Sequence, residues 1–279
     1  MPYSLEKLIY KNTMNSQKSL RSLILIISLS SFFMLSINGQ SGEKKINLDI
    51  VFIGNSITQG VQLENPKTDA PPATANEYLS GKKRVGSTQF LNQGRSGFTT
   101  LNFLPSADGT LSKVIIATHQ FHTDSLRLLI FSVSLGTNDS AEEGPKGAPV
   151  SPEDYSKNIR SITDKLLSEF PKCKIVYQQP IWYSPNTSKR SKYLAEGLAR
   201  LQSYFPELQS LVKQYSQTNP GHLYMGDTKG FRYFSKNYLT DLIPEQGNLG
   251  TFYLHPNKKG AVVLGNFWGD GIYKCVVRD

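Results

Sequence analysis

The chain has 279 residues, with 31 Lys and Arg against 22 Asp and Glu and a net charge of +9. Hydrophobic residues at 38% and charged residues at 19% exclude a disordered chain, and the length is ample for one large domain with a sizeable core. The basic residues are scattered, with no stripe or interleaved aromatic platform, which argues against nucleic acid as a partner.

Residues 1–39 differ from the rest. Lys7, Lys11, Lys18 and Arg21 precede the apolar run 23–37, and small and polar residues follow it. This is the layout of a secretory signal, and the run is short for a spanning helix. Cleavage is expected near Gly39 or Gln40, leaving one domain over 40–279 with a net charge of +6 and no lasting membrane attachment. The predicted location is the periplasm or the exterior. Cys173 and Cys275 are too few for a disulfide scaffold; one bridge or two free thiols both fit.

From residue 48 the pattern alternates. Residues 48–54 form a buried strand that runs into Asn55 and Ser56. A serine after a strand is ordinarily a helix cap, but the carboxyl end of a parallel strand is also where open α/β sheets place their sites. A weaker strand at 88–92 leads into the turn "NQGRSGFTT", with Arg95 and Gly97. The strongest strand, 126–136, ends in "SLGTNDS" and presents Asn138, whose carboxamide suits a developing oxyanion. A helix capped by Ser151 with Pro152 at its first position follows, then a strand over 173–182 that sets Trp182 and Tyr183 at the same edge. A long helix near 189–215 is expected to break or kink at Pro206. A fifth strand, 222–227, leads to a loop with Asp241 and Glu245, to His255 held out of helical geometry by Pro256, and to a closing helix. Apolar strands alternating with helices predict a three-layer, flavodoxin-like α/β fold: about five parallel strands with helices on both faces.

Ser56, Gly97, Asn138 and His255 follow successive elements and fall at one sheet edge. The blocks that hold them, "GNSIT", "NQGRSG", "GTND" and "HPN", resemble those of the SGNH hydrolase family, the GDSL-type esterases and lipases. The likeness extends to members described as glycan or sialate O-acetylesterases. The elbow G-x-S-x-G of the larger α/β-hydrolase class is absent, because Thr58 stands at its second glycine.

The resemblance implies a serine carboxylic ester hydrolase with Ser56 as nucleophile and His255 as base. The Ser56 and Gly97 N–H groups and the Asn138 side chain would form the oxyanion hole. It implies no cofactor and no metal, and the pair His119 and His122 lacks a third ligand nearby. One departure stands out: where the family carries Asp three residues before the histidine, this chain has Phe252. Glu245, Asp241 or a loop carbonyl would then orient His255, or the enzyme is a dyad or impaired. Trp182 and Tyr183 suit the faces of a sugar ring, and nothing resembles an apolar lid or acyl tunnel. The expected substrate is a short acyl ester, above all O-acetyl, on a carbohydrate, with Arg95 able to hold the carboxylate of an acetylated sialic acid. The alternatives are a lipid or thioester acylhydrolase and an impaired carbohydrate-binding protein on the same fold.

Overall fold

The structure, a computed structural model, describes residues 44–107 and 109–277, so the predicted signal segment and its cleavage site lie outside the described residues. From Lys45 onward the chain forms one unit. Strand β1 (Ile46–Gly54) is followed by the short helices α1 (Ser56–Gln59), α2 (Pro66–Asp69) and α3 (Pro71–Ser80), then by β2 (Val85–Gly94). Helix α4 (Thr110–Phe121), β3 (Leu128–Ser134), α5 (Pro152–Glu169), β4 (Lys174–Tyr177), α6 (Leu194–Thr218) and β5 (Leu223–Met225) continue the alternation. The five strands pair in parallel in the order β2-β1-β3-β4-β5, the predicted doubly wound sheet.

Register and sequence together fix the two faces. Phe52 pairs with Ser132, and Phe131 with Val51, so the two phenylalanines point to opposite sides. Phe52 stacks on Trp268 of α8 (Lys258–Ile272) at 6.0 Å, whereas Phe131 packs on Phe170, just after α5, at 5.4 Å. Both sides of the central strand β1 are therefore covered, which is why it is apolar throughout Ile50–Ile53. None of the helices among the described residues is long and apolar enough to cross a membrane.

Two expectations change. Helix α6 runs unbroken through Pro206, which lies on its exposed side, where water can satisfy the Gln202 carbonyl that loses its partner. The segment read as a loop around Glu245 is instead an antiparallel hairpin of β6 (Leu242–Gly247) and β7 (Gly250–Pro256), which follows α7 (Gly230–Asp241). Its two-residue tip and Gly250, at φ +100°, supply the turn. Cys173 and Cys275 are not bridged to each other; Cys173 lies buried before β4, and burial pushes its thiol up to about 12.

Candidate active site

The sheet reverses its strand order between β1 and β3, and a crevice at the carboxyl ends of those strands is where such folds place ligands. Gly54 lies level with Gly94 and with Ser134, so β1, β2 and β3 end together. Ser56 lies two residues beyond, Gly97 three and Asn138 four. The chain can turn so tightly after β1 because Gly54 has no side chain; a Cβ there would lie 2.0 Å from Thr58 Oγ1 and 2.9 Å from the Ser134 carbonyl. Asn55, not Ser56, caps the one-turn helix, its side chain accepting from the Ile57 N–H at 3.0 Å. The Ser56 hydroxyl is thereby left for other partners.

Ser56 Oγ lies 2.8 Å from His255 Nε2, and His255 Nδ1 lies 2.7 Å from Glu245 Oε1. Burial pushes the Glu245 carboxyl up, but the hydrogen bond from His255, its charge when the ring is protonated, and a hydrogen bond from Gln62 outweigh it and hold the group below its ordinary value. An ionised carboxylate only accepts, so Nδ1 carries the proton and Nε2 turns its lone pair to the serine hydroxyl. That is the tautomer a general base requires.

Glu245 is the direct cross-strand partner of Phe252. Position 252 carries no acid, and the carboxylate that contacts His255 reaches it from across the hairpin, from β6. From Leu242↔Pro256 to Pro244↔Tyr253 the pairing gives β7 one extra residue, within Leu254–His255. That bulge shifts the period-2 alternation and brings the imidazole to the side of Glu245. Asp241, the other predicted acid, is engaged elsewhere: its carboxylate accepts from Tyr233, Thr240 and Lys259 at 2.6–2.7 Å. It closes the base of the hairpin onto α8 and does not reach His255.

Asn138 is held at both ends of its carboxamide. Its Nδ2 donates to the Phe98 carbonyl at 2.8 Å, and its Oδ1 accepts from the Tyr193 hydroxyl at 2.9 Å. One Nδ2 hydrogen remains for a ligand. Burial pushes the Tyr193 hydroxyl well above its ordinary value, which keeps it a donor. Phe252, fully buried, stacks on the Tyr193 ring at 5.3 Å. The residue at the family's acid position therefore buttresses the tyrosine that orients Asn138. Gly97, at φ +76° with open space around its Cα, turns its backbone to the same cleft.

The open cleft of about 800 Å³ is lined by Ser56, Gly97, Asn138, Glu245 and His255, together with Gln62 and Tyr193. Arg95 and Trp182 do not line it. Arg95 is exposed, bonds Gln93 at 3.4 Å and borders two smaller hollows that none of Ser56, Asn138 or His255 lines. Trp182 packs on Tyr238 at 5.1 Å, and Tyr183 is fully buried, bonding Ser140 at 2.9 Å. His119 and His122 lie apart from the cleft, beside Glu169 and Asp49.

Sequence reasoning missed Tyr193 and Gln62. Gln62 Nε2 lies 3.1 Å from His255 Nδ1. Gln62 and Leu194, next to Tyr193, are the two non-glycine residues with positive φ among those described, at 71° and 51°. Each such conformation costs on the order of 1–3 kcal/mol and is typical of functional sites, but no sequence pattern marks it.

The sequence profile of the GDSL-like lipase/acylhydrolase family matches residues 52–263, more than half of the chain. The chain belongs to that family. It is a carboxylic ester hydrolase by family, and solved esterases share its fold. The aryl esterase of M. smegmatis is 15% identical over 82% of this chain and 100% of its own, with a TM-score of 0.53. A carbohydrate acetylesterase from Sinorhizobium meliloti is 14% identical over 81% and 99%, also with a TM-score of 0.53. A two-domain esterase active on acetylated mannans is 13% identical over 84% of this chain and 51% of its own, with a TM-score of 0.52. At these identities the likeness is one of fold. No curated protein sequence matches this family member significantly.

Proposed function

We propose that this GDSL-family protein is an exported serine esterase that removes short acyl groups, chiefly acetyl, from carbohydrates. The observation that carries the reading is the continuous relay from Ser56 Oγ through His255 to Glu245 beside the Asn138 amide. Ser56 attacks the ester carbonyl while His255 Nε2 takes its proton, and Glu245 stabilises the imidazolium that forms. The oxyanion sits on the Ser56 and Gly97 N–H groups and the free Asn138 N–H. His255 then protonates the departing alcohol, and water attacks the acyl-serine by the same route. The apparent lack of an acid at position 252 is no reason to read decay, because Glu245 stands in its place.

The cleft is open and polar, which favours a small acyl group on a hydrophilic leaving alcohol over a lipid or thioester chain. A carbohydrate acetylesterase and a mannan esterase among the proteins of the same fold point the same way. The leader-like segment 1–39 supports export to the periplasm or beyond. A second, finer reading is an acid sugar, such as acetylated sialic acid. Arg95 gives it no support, but Lys189 and Arg190 line the cleft, and Glu245, its one acid among the described residues, is paired with His255. Nearby Glu142 and Glu143 are paired with Arg200 and Lys192.

Hydrolysis of p-nitrophenyl esters of increasing chain length tests the first reading. The acetate should be turned over fastest, and Ser56→Ala should lose roughly 10⁴–10⁶ in kcat. A Ser56→Ala protein as active as the parent would sink it. Replacing Lys189 and Arg190 with Ala tests the second: kcat/KM on O-acetylated sialic acid should fall about 10- to 100-fold, with acetylated xylan spared. Equal rates before and after would leave neutral glycans as the substrates.

A further inference from the structure

We infer that Gln62 is a positioning residue of this esterase, a clamp that fixes the Glu245 carboxylate against His255. The inference rests on the reading of Ser56, His255 and Glu245 given above.

The need for a clamp follows from where the acid comes from. Glutamate has one more rotatable bond than the aspartate usual three residues before the histidine, and it reaches the imidazole from a neighbouring strand. A longer, freer arm samples more rotamers, so a carboxylate delivered this way requires a second restraint. Gln62 is placed to give it. Its Nε2 lies 3.1 Å from His255 Nδ1, and that same Nδ1 lies 2.7 Å from Glu245 Oε1. The Nδ1 proton is already given to the carboxylate, so Gln62 Nε2 and Nδ1 are two donors side by side. Two donors converge on one point only if they share an acceptor, and Glu245 is that acceptor; the amide is oriented by the same logic, since an ionised carboxylate cannot donate to Gln62 Oε1. A hydrogen bond from Gln62 is also among the influences that keep the Glu245 carboxyl low.

The backbone gives an independent sign. Gln62 sits at φ 71°, just after the left-handed Gly60 that ends α1. Glycine is the residue that takes this conformation without strain. At position 62 the chain carries instead a long carboxamide in a strained setting, and the carboxamide touches the relay. The strain belongs to the backbone; the contact belongs to the side chain. Gln62→Gly separates them.

The experiment compares the parent with Gln62→Gly in thermal midpoint and in kcat and KM for p-nitrophenyl acetate across pH. The glycine variant should remain folded with a melting temperature near the parent's, because relieved strain offsets the lost hydrogen bond. Its kcat should fall about 10- to 100-fold, the range of one hydrogen bond to a charged group, with KM little changed. The acid limb of its kcat profile should move to higher pH, because a carboxylate no longer shared with Gln62 stabilises the protonated imidazole more strongly. A second variant reads the geometry directly. In Glu245→Gln, adding Gln62→Glu places a carboxylate within reach of Nδ1 and should recover part of the lost turnover. A folded Gln62→Gly protein with the parent's kcat and pH profile overturns the inference, whatever the exchange variant does. A parent whose activity does not depend on Ser56 would instead overturn the proposed function, so the two failures are distinguishable.

Discussion

The five-stranded sheet and the two-stranded hairpin each deliver half of the site, and they do so by different means. The sheet presents Ser56, Gly97 and Asn138 from strands that end at one level, buried on both faces and fixed by register. The hairpin presents Glu245 and His255 from two strands with a bulge between them. Its buried Leu242, Phe252 and Leu254 join the core, and hydrogen bonds tie other positions to the body of the fold: Asn186 Nδ2 to the Leu249 and Thr251 carbonyls, and Ser184 with Tyr253. The sheet-edge residues Ser56 and Asn138 are buried, whereas Glu245 is only half-buried on a hairpin that other residues anchor. Changes on the hairpin can therefore separate chemistry from stability, and changes behind the sheet edge should couple the two.

The sharpest way to break this comparison is on the hairpin itself. Glu245→Gln should cost on the order of 10⁴ in kcat, the effect of neutralising the acid partner in a serine triad, with little change in melting temperature. Asp241→Asn should do the reverse, weakening the base of the hairpin and lowering the melting temperature while sparing turnover in the folded protein. If the two carboxylates exchange these outcomes, the assignment of Glu245 is wrong. On the sheet side, Asn138→Ala should cost about 10²–10³ in kcat, the usual effect of removing one oxyanion donor. It should also destabilise, because the Phe98 carbonyl and the Tyr193 hydroxyl both lose their partner. An Asn138→Ala protein with full turnover would remove the amide from the oxyanion hole.

The smallest effect on turnover is expected one residue further on. Asp139 is fully buried, and burial pushes its carboxyl up to about 6 against hydrogen bonds from Thr100 that pull it down. A folded-state value above the unfolded one means that the folded chain holds the extra proton between about pH 4 and 6, so stability from this group is complete below that window and lost as pH rises through it. The stability of the parent relative to Asp139→Asn should therefore decline from pH 4 to pH 6, by no more than about 3 kcal/mol at 1.36 kcal/mol per unit, and level off above pH 7. Chemical denaturation of both proteins across that range measures it. A flat difference would mean that Asp139 is ionised throughout.

The contrast between sheet and hairpin also explains what was legible from the residues. The strands carry their own signal, because a strand covered on both faces must be apolar: Ile50–Ile53 and Leu129–Phe131 announce themselves. Once the strands are known to be parallel, the residues just past their ends must meet, which is why Ser56, Gly97 and Asn138 could be grouped before any coordinates. The hairpin has no such signal. Leu242–Gly247 mixes a proline, a glutamate and a glutamine, and reads as loop.

Sequence alone determined the sheet, the order of its motifs and the resemblance to the SGNH hydrolases, because each is a matter of local pattern or of position along the chain. Only the tertiary structure showed that Glu245 and not Asp241 contacts His255, for both lie upstream of it and the difference turns on strand pairing and one extra residue in β7. Only it showed Arg95 and Trp182 to be outside the cleft, since a strand end fixes where a loop starts and not which way its side chains leave. And only it found Gln62 and Tyr193, whose importance lies in what they touch across the fold, a property that no residue carries in its own neighbourhood of the sequence.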